Sequence, residues 1–524
     1  MASIDTVLDH ESIAATTDET AVRGPRRVLG FAMPDRTTLA AMAAFAVLCL
    51  VLVAGSEPRR IGDGGEYTAM AWQFANLRPP ALSLDDIALL DQHYADLGDR
   101  MSGFEGSAPT YQNLLSDGRY DQLHFWIYPL MAAPGVKVAK WLGQPDTYAF
   151  AALNIALATF TFGVVMRRKG LFVAALLFLS PLLWWIDKAH GEVLVFCVLL
   201  LALLWVRDRP HLGFICMAVL TAHNLSFSIV MVAYAITMLL LHGRTVFDSR
   251  RKWAALVAAG VIAAAHPLYY LQRLRIVEPT MVLEDNSLRI PTVTRYVTPI
   301  VDPYVGLVVW WPFLVAAVCV GAVARAWSRP VVRRTAREWA VVWSPFVMGL
   351  AVLFAQAQNN QPGSGGTFAM SRYAIWIAPF AVYAFPDRSP GEGRATPHRF
   401  TPRSAAATTV VLASLLLSLH VARPATPDVW FTVKPTLVAQ ELHEHAPWLW
   451  NTPPQLFLTR EWRQYGKVEP VANEACTKLL AVSGTWPTTC PAPTDVPRDC
   501  ATTLFCYANR SGDHYTFVPV RYYG

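Results

Sequence analysis

Long apolar blocks constrain this chain more than any other feature of its sequence. Stretches such as 37–54, 192–206, 252–272 and 405–419 contain almost no ionisable side chains. Several of them approach the ~20 residues that a helix needs to cross a bilayer. Only 16% of the residues are charged, whereas soluble globular proteins carry about 25%. The blocks therefore predict an integral membrane protein.

Reading the blocks in order predicts an all-α polytopic membrane protein with about eleven transmembrane helices. The predicted spans are 37–54, 147–166, 170–186, 192–206, 211–224, 226–241, 252–272, 304–324, 338–356, 370–386 and 405–421. The first span is not interpreted as a cleavable signal peptide, because residues 1–36 are mostly polar and the apolar character continues far beyond it.

The basic residues orient these spans. If the N-terminus is cytoplasmic and the spans alternate in direction, half of the 44 lysines and arginines fall in clusters on the cytoplasmic side. Cytoplasmic loops of membrane proteins carry such an excess of basic residues. We therefore predict a multi-pass protein of the plasma (inner) membrane with a cytoplasmic N-terminus and an extracytoplasmic C-terminus. The net charge of +6 does not indicate a nucleic-acid partner, because apolar blocks separate the basic clusters.

This topology divides the chain into three parts. Residues 1–36 are predicted to be a disordered cytoplasmic N-terminus, 37–421 a transmembrane domain, and 422–524 a small extracytoplasmic C-terminal domain. The first outer loop is long, 55–146, and includes the semi-apolar stretch 123–142, which contains prolines and lysines. We expect that stretch to form a helix in, or re-entering, the membrane interface.

The C-terminal segment contains a cluster of four cysteines, Cys476, Cys490, Cys500 and Cys506. An even number of cysteines in a small segment on the oxidising side predicts two disulfides. Their pairing stays open among three possibilities. Zinc binding is the alternative, but the spacings lack a CxxC pair.

Asp63 and Glu66 follow the first span, in the stretch Gly62–Tyr67. If a helix begins near Gly65, Asp63 lies at its N-terminal end, where the glycine backbone could approach a phosphate or sugar closely. The simpler interpretation is that Asp63 only caps that helix, and spacing alone slightly favours it.

A second group of ionisable residues lies in the tight turn between two predicted spans. Asp187, Lys188, His190 and Glu192 fall within six residues, and charges at a bilayer boundary are costly unless they are paired or used. The simpler interpretation is an Asp187–Lys188 surface pair with a solvated His190. Glu192 begins an apolar run, so we expect it to face the helix bundle or a cavity.

A third group lies in the glycine-rich loop before the tenth predicted span. Gly365 and Gly366 precede Arg372, and backbone N–H groups together with a guanidinium suit an anionic phosphate. The alternative is a flexible loop with a snorkelling arginine. His223, near the outer end of another span, could line a cavity or form a hydrogen bond across helices.

Taken in order, these motifs resemble the GT-C superfamily of glycosyltransferases, near its protein O-mannosyltransferase-like bacterial branch. The resemblance covers roughly residues 37–386. The resembling stretches are Gly62–Tyr67 in the first outer loop, His124–Pro134 in the interfacial helix, Arg167–Lys169 after the following span, Asp302–Pro312, and Gly365–Tyr373. Two features depart from the superfamily: no adjacent Asp-Glu pair follows the first span, and the four-cysteine tail lies outside the shared core.

The resemblance implies a GT-C-like fold and a sugar donor linked to polyprenyl phosphate. It implies that Asp63 is the catalytic base, that Glu192 or Glu66 assists, and that Arg372 with Gly365 and Gly366 binds the donor phosphate. The expected substrate-cavity residues are His124, Tyr128, His190 and His223. A single displacement would invert the sugar carbon, and the acceptor would be a glycan, lipid or protein.

The sequence is also compatible with other classes of function. No cofactor is required by the sequence, although the carboxylates could hold Mg²⁺ or Mn²⁺, which some GT-C enzymes use. The main alternative is a transporter or flippase of lipid-linked glycans, for which broken helices and internal repeats would be evidence. A ligase or polymerase of lipid-linked glycans is another, and a membrane-anchored C-terminal domain is the weakest.

Overall fold

The computed structural model describes a mostly helical molecule with a small sheet near its C-terminus. The described residues are 27–28, 31–32, 34–96, 115–122, 124–279, 291, 293–327, 336–358, 370–388, 402–424, 436–446, 449–450, 470–472, 475–502, 505–511 and 514–520. Most of the predicted N-terminal segment, and both Gly365 and Gly366, lie outside these residues.

The N-terminal part of the helical body runs from α1 to α10. The helices are α1 (Arg36–Ala54), α2 (Gly64–Ala75), α3 (Leu84–Asp96), α4 (Ile127–Trp141), α5 (Thr147–Lys169), α6 (Leu171–Phe178), α7 (Glu192–Trp205), α8 (Pro210–His223), α9 (Phe227–His242) and α10 (Arg250–Leu274). Two 3₁₀ helices, Pro181–Trp185 and Gly243–Phe247, lie between them.

The remaining helices are shorter on average. They are α11 (Val293–Val301), α12 (Leu307–Trp310), α13 (Pro312–Trp327), α14 (Ala336–Ala357), α15 (Arg372–Ile377), α16 (Pro402–Val421), α17 (Leu437–His445) and α18 (Arg498–Thr502), with a 3₁₀ helix at Ala378–Ala384. The strands are β1 (Arg27–Val28), β2 (Phe31–Ala32), β3 (Leu115–Ser116), β4 (Arg119–Tyr120), β5 (Val471–Ala472), β6 (Lys478–Val482), β7 (Phe505–Ser511) and β8 (His514–Val520).

Within the described parts of the chain, four helical segments are long and apolar enough to cross a membrane: α1, α5, Phe227–Phe247 (which contains α9) and α10. Their outer surfaces are apolar, since Val51 in α1 and Val261 in α10 are each more than 60% exposed. Apolar side chains that point away from the core along an entire helix are typical of contact with lipid. The prediction of a largely α-helical membrane protein is compatible with this structure.

The predicted count of about eleven spans is wrong for the described residues. Helices α7 and α8 have 14 residues each, so they measure about 21 Å, short of the ~30 Å hydrocarbon core. Every residue of α7 is also buried, which makes it a core helix of the protein.

Proline explains why three other predicted spans are interrupted. The 170–186 block is divided into α6 and a 3₁₀ helix that starts at Pro181. The 304–324 block breaks at Trp311, directly before Pro312, and the 370–386 block contains six-residue α15 followed by a 3₁₀ helix with Pro379 near its start. Proline lacks an N–H group and disfavours helical backbone at the residue before it.

The predicted interfacial stretch 123–142 contains a helix, α4, with Pro134 in its interior. Helix α4 packs between α2 and α5, and a Cβ on Gly135 would lie 3.0 Å from the Cβ of Ala149 in α5. This close packing holds α4, which lies in the long segment between α1 and α5, against the helical body. The location of α4 relative to a membrane interface stays a prediction.

The C-terminal segment adds a β-structure to the all-α fold that the sequence predicted. Strands β5, β6, β7 and β8 form an antiparallel sheet in that order, and β7 and β8 pair along seven residues each. Disulfides join Cys476 to Cys490 and Cys500 to Cys506. The two predicted disulfides are thereby confirmed, and the pairing that sequence left open is sequential.

Candidate functional site

The turn before α2 and the turn before α7 are joined by backbone hydrogen bonds. The Arg59 N–H donates to the Asp187 carbonyl at 3.0 Å, and the Ala189 N–H donates to the Arg59 carbonyl at 3.0 Å. Gly64 makes this approach possible, because a Cβ there would lie 2.9 Å from the Ala189 oxygen. Asp63 and Asp187 are 124 positions apart in the sequence. The two turns that carry them thus form one surface.

Asp63 precedes α2 but does not cap it, because its side chain makes no hydrogen bond to the helix N-terminus. Instead, its carboxylate lies 2.9 Å from Arg372 Nη1, 3.3 Å from His124 Nε2 and 3.4 Å from His190 Nε2. The simpler interpretation, in which the Asp63 side chain only caps α2, is therefore wrong.

The ionisation of Asp63 is stabilised by these neighbours. Burial by itself would raise the pKa of the carboxyl, but the nearby charges of His124 and Arg372 outweigh burial and hold the pKa well below its ordinary value. Opposite charges within about 4–6 Å favour the charged form in this way. Asp63 is consequently a carboxylate at neutral pH, and its side chain remains 19% exposed.

Arg372 is the first residue of α15 and lies between two carboxylates. Its Nη1 donates to Asp63, and its Nε lies 3.8 Å from Glu192 Oε1. The guanidinium also lies 5.6 Å from the centre of the Tyr373 ring, a distance typical of cation–π contact. Arg372 therefore connects the turn before α2 to the start of α7.

His190 and His124 approach the same Asp63 carboxylate with different hydrogen-bond partners. Arg372 Nη1 lies 3.0 Å from His190 Nε2, and because a guanidinium only donates, this contact is a hydrogen bond in the tautomer whose Nε2 carries no proton. Burial lowers the pKa of His190 even though Asp63 is near. His124 faces Glu66 from Nδ1 at 3.2 Å and Asp63 from Nε2 at 3.3 Å. Because carboxylates only accept, the two acids favour a His124 ring protonated at both nitrogens.

Glu66 and Glu192 each hold another residue of the site. Glu66 accepts from the His124 backbone N–H at 3.0 Å as well as facing its ring. Glu192, the first residue of α7, accepts from the Trp376 indole at 2.5 Å and lies 3.7 Å from His190 Nδ1. Trp376 is one helical turn beyond Arg372, so α15 presents both side chains to Glu192.

Aromatic rings fill the space behind these charges. Tyr67 makes edge contacts with His124, His190 and Tyr128. The Tyr128 hydroxyl donates to Asn154 at 2.9 Å, and Asn154 donates in turn to the carbonyl of Lys188 at 3.0 Å. Tyr128 thus supports the turn that carries His190.

His223, at the end of α8, packs directly against the same turn. A Cβ on Gly191 would lie 2.2 Å from His223 Nε2, so only glycine fits at position 191. The His223 side chain is buried, and its Nδ1 atom has no hydrogen-bond partner among the described residues.

These side chains surround a cavity of about 350 Å³. Its lining includes charged side chains, and its other polar lining residues are mainly amides and hydroxyls. The lining residues are Asp63, Tyr67, His124, Phe125, His190, Glu192, His223, Asn224, Leu225, Ser226, Ser228, Ile229, Glu278, Ala355, Gln356, Gln358, Arg372, Tyr373 and Trp376. Its volume falls within the range of small-molecule sites in proteins.

Most of the residues selected from the sequence meet at this cavity. Six of them line it: Asp63, His124, His190, Glu192, His223 and Arg372. Glu66 and Tyr128 lie directly behind the lining residues. Gly365 and Gly366 are outside the described residues, so their predicted role in phosphate binding stays a prediction.

The interpretation of Asp187 and Lys188 as a surface pair with a solvated His190 is wrong. Asp187 and Lys188 form an ion pair with both side chains fully buried, and His190 is 2% exposed. Lys188 also donates to the carbonyl of Pro424 at 2.8 Å. The sequence pattern is local and does not indicate that the chain after α16 covers this turn.

Trp376, Glu278 and Gln356 are among the lining residues that were not identified from the sequence. Trp376 had a detectable signal, because it is four residues after Arg372 and a helix brings such residues together. Glu278 follows α10, and Gln356, near the end of α14, donates to the Arg295 carbonyl at 3.0 Å. Nothing in the local pattern links either residue to Asp63.

A divalent metal is a poor fit to the arrangement of these acids. Within the described parts of the chain, no group of three or more His, Cys, Asp or Glu side chains is arranged to hold an ion. The Arg372 guanidinium already lies between Asp63 and Glu192, and its charge compensates them. A metal would have to replace that contact.

No protein-family model, no curated protein and no solved structure matches this chain. The fold and the site therefore define it only as a helical protein with four candidate membrane spans, a disulfide-bonded C-terminal sheet and a charged cavity.

Proposed function

We propose that this protein is a membrane glycosyltransferase of GT-C type, which transfers a sugar from polyprenyl phosphate to an acceptor hydroxyl. One observation carries the proposal above all. An arginine and an ionised aspartate lie 2.9 Å apart in the wall of a cavity, at the ends of apolar helices. A phosphate and a nucleophilic hydroxyl are the two groups that such a pair can serve together.

Arg372 is the group proposed to bind the donor phosphate. A guanidinium has five N–H donors in a plane and binds phosphate oxygens in pairs. In the absence of donor, Arg372 binds Asp63. An incoming phosphate would compete with Asp63 for this arginine and would leave the carboxylate free to accept from the acceptor hydroxyl.

The proposed reaction is a single displacement at the anomeric carbon. Asp63 accepts the proton of the acceptor hydroxyl while the acceptor oxygen forms a bond to that carbon. The bond between the same carbon and the phosphate oxygen breaks, and polyprenyl phosphate leaves with the electron pair. Arg372 stabilises the charge that develops on the leaving phosphate. One displacement inverts the configuration of the sugar.

The remaining charged residues are proposed to keep these two groups in place. Glu192 lies beside both Arg372 and Trp376, and Glu66 fixes His124 through its ring and its backbone. His124 and neutral His190 flank the Asp63 carboxylate.

The reaction is placed on the extracytoplasmic face of the plasma membrane, as the positive-inside rule suggests for the loops that carry the site. In this proposal the shorter apolar helices also lie within the bilayer, packed against the four longer ones. Glu441 in α17 has a side chain that is 72% exposed, so a Glu441→Cys variant should react with an impermeant maleimide on intact cells. An unreactive thiol there, with reaction after permeabilisation, would overturn this orientation.

A transporter or flippase of lipid-linked glycans is the second candidate. The interrupted helices support it, because α6, α12 and α15 are each short and followed by a break. Transporters often build their substrate sites from such broken helices. Sugar transfer and lipid translocation are separable in experiment.

The decisive experiment offers purified protein in nanodiscs a panel of radiolabelled polyprenyl-phosphate sugars with cell-envelope glycans, lipids and proteins as acceptors. We expect transfer from at least one donor by the wild type and its loss in Asp63→Asn. Translocation in liposomes without any transfer would replace the enzyme with the transporter. Undiminished transfer by Asp63→Asn would exclude Asp63 as the base and leave the enzyme class intact.

Arg372→Lys tests the proposed phosphate contact separately. Lysine keeps the charge but cannot form the paired hydrogen bonds of a guanidinium, so the donor KM should rise about 10–100-fold. Arg168→Lys is the matched control, because Arg168 also pairs with a carboxylate, Asp208, and neither residue lines the cavity. An equal donor KM in the two variants would argue against phosphate binding by Arg372.

A further inference from the structure

The loop between α11 and α12, residues 302–306, is held in one shape by its own hydrogen bonds. Asp302 Oδ1 accepts from the backbone N–H groups of Tyr304 at 2.8 Å and Val305 at 3.2 Å. The Gly306 N–H donates to the Asp302 carbonyl at 2.8 Å. A Cβ on Gly306 would lie 2.5 Å from that carbonyl oxygen, so the closure requires glycine. Asp302 is completely buried.

This loop is bonded to the residue directly before Arg372. The Ser371 N–H donates to the Val305 carbonyl at 2.9 Å, and both residues are buried. Ser371 is the N-cap position of α15, whose first residue is Arg372. Helix α15 has only six residues, so its starting point depends strongly on what holds its N-terminus.

The C-terminal segment forms hydrogen bonds with the same loop. The Trp450 indole donates to Asp302 Oδ2 at 2.8 Å, and Thr436 Oγ1 donates to the Pro303 carbonyl at 2.5 Å. Ala439 of α17 packs against Tyr304 and Val305 in a small buried cluster. One carboxylate, Asp302, is thus bonded to its own loop by one oxygen and to the C-terminal segment by the other.

Trp450 is in turn connected to the disulfide-bonded sheet. The Lys478 ammonium on β6 lies 3.4 Å from the Trp450 carbonyl, 2.5 Å from Asn509 Oδ1 and 3.3 Å from the Tyr507 hydroxyl. Lys478 is completely buried. A continuous series of contacts therefore leads from the sheet through Trp450, Asp302 and Val305 to Ser371.

We infer that the C-terminal domain sets the position of Arg372, with Asp302 as the positioning residue that transmits its docking to α15. Asp302 does not line the cavity, so it acts through Arg372 and does not touch substrate. The catalytic consequence rests on the proposed function of Arg372, but the mechanical connection does not. Small displacements of a binding group cost rate, since about 1 Å can reduce it 10²-fold.

The mechanical connection is tested by hydrogen exchange, which needs no activity. Trp450→Phe keeps the ring but removes the N–H that Asp302 accepts. Trp486→Phe is the matched control, because Trp486 packs on Phe517 and on the buried cluster of Ala481, Cys500 and Cys506 within the same domain. We expect the Ser371 amide to exchange about tenfold faster in Trp450→Phe than in wild type, and at the wild-type rate in Trp486→Phe. Equal exchange in both variants overturns the inference.

The consequence for catalysis is read from a KM-against-kcat comparison. Asp302→Asn and Trp450→Phe should raise the donor KM about tenfold, with a smaller change in kcat per folded molecule. A purely structural role would instead lower the amount of active protein and leave the donor KM unchanged, which would refute positioning. If Asp302→Asn fails to fold, Trp450→Phe still decides. Absence of transfer by the wild type would remove the proposed function, while the exchange experiment would still test the connection.

Discussion

Two carboxylates of this molecule each face a basic side chain, yet their environments differ in nearly every respect. Asp63 pairs with Arg372 in the cavity wall, and its side chain is 19% exposed. Asp187 pairs with Lys188, and both are fully buried. The neighbouring charges lower the pKa of Asp63, whereas burial raises the pKa of Asp187 in spite of Lys188. The backbone joins the two sites, because Arg59 bonds to the turn that contains Asp187.

The difference separates a charge available for chemistry from a charge used in assembly. Asp63 is surrounded by three polar side chains that keep it ionised while it faces open space. Asp187 and Lys188 instead close the junction with the chain after α16, where Lys188 and Arg59 both donate to the Pro424 carbonyl. Buried pairs of this kind contribute little net stability but are damaging to break.

The largest expected difference is in the rate of transfer. Asp63→Asn removes the proposed base and should lower kcat by about 10²–10⁴-fold, the usual contribution of general-base catalysis. Asp187→Asn should leave kcat per folded molecule within about threefold, because Asp187 does not line the cavity and surroundings that raise its pKa tolerate a neutral group. The measurement is single-turnover transfer normalised to the folded fraction.

The two carboxylates would not be distinct in role if both variants lost activity alike. Undiminished activity of Asp63→Asn would show that Asp63 is not the base. A folded but inactive Asp187→Asn would show that the role of Asp187 is not only structural. Fluorescence-detected size-exclusion chromatography of both variants reports folding independently of the assay.

The second effect is on stability and concerns Lys188. Lys188→Met leaves Asp187 buried without its cation, which should cost about 3–5 kcal/mol. Replacing both residues, as Asp187→Leu with Lys188→Met, should recover most of that loss, because a well-packed apolar pair of similar volume is often as stable as the ion pair. Thermal unfolding in nanodiscs measures both. A double variant no more stable than Lys188→Met would show that Asp187 has a further role.

Sequence reasoning located the cavity residues better than it located the membrane spans. Asp63, Glu192 and Arg372 stand out because ionisable groups at the ends of apolar blocks are expensive unless they are used. The structure brings these three together. Their mutual distances could not be predicted, because they depend on the backbone pairing of Arg59 with Lys188.

The span count failed because hydropathy does not register where a helix breaks. The 3₁₀ helix at Pro181–Trp185 contains no polar or charged side chain, yet it interrupts the block. Likewise α7 is apolar because it is buried by other helices along its whole length, a pattern that composition does not distinguish from burial in lipid. The disulfide pairing and the docking of Trp450 onto Asp302 are long-range contacts, which local patterns cannot indicate.

The smallest expected effect is a difference in the pH dependence of stability, and it concerns His190, which lies between the two carboxylates. Burial lowers the pKa of His190 below its ordinary 6.5. As the pH falls below about 6.5, the unfolded chain therefore takes up a proton that the folded protein does not, and the free energy of unfolding decreases. The decrease stops once the pH passes below the folded pKa. Asp63 adds no slope in this window, because its pKa is held well below its ordinary 3.8.

His190→Gln isolates this contribution, since glutamine keeps an acceptor oxygen for Arg372 and does not titrate. Between pH 6.5 and 5 the wild type should lose stability more steeply than the variant, by at most about 1.4 kcal/mol per pH unit. Asp63, Glu192, Arg372 and His124 face His190 from neighbouring elements and are present in both proteins. Burial raises the pKa of Glu192 to about 7, so proton uptake by Glu192 stabilises the folded protein as the pH falls and opposes the His190 effect. The comparison is therefore repeated in a Glu192→Gln background. Parallel melting curves would mean that His190 takes up its proton over the same pH range in the folded protein as in the unfolded chain. Once protonated, its Nε2 could not accept from Arg372, and Asp63 would face a third cation in place of a neutral ring.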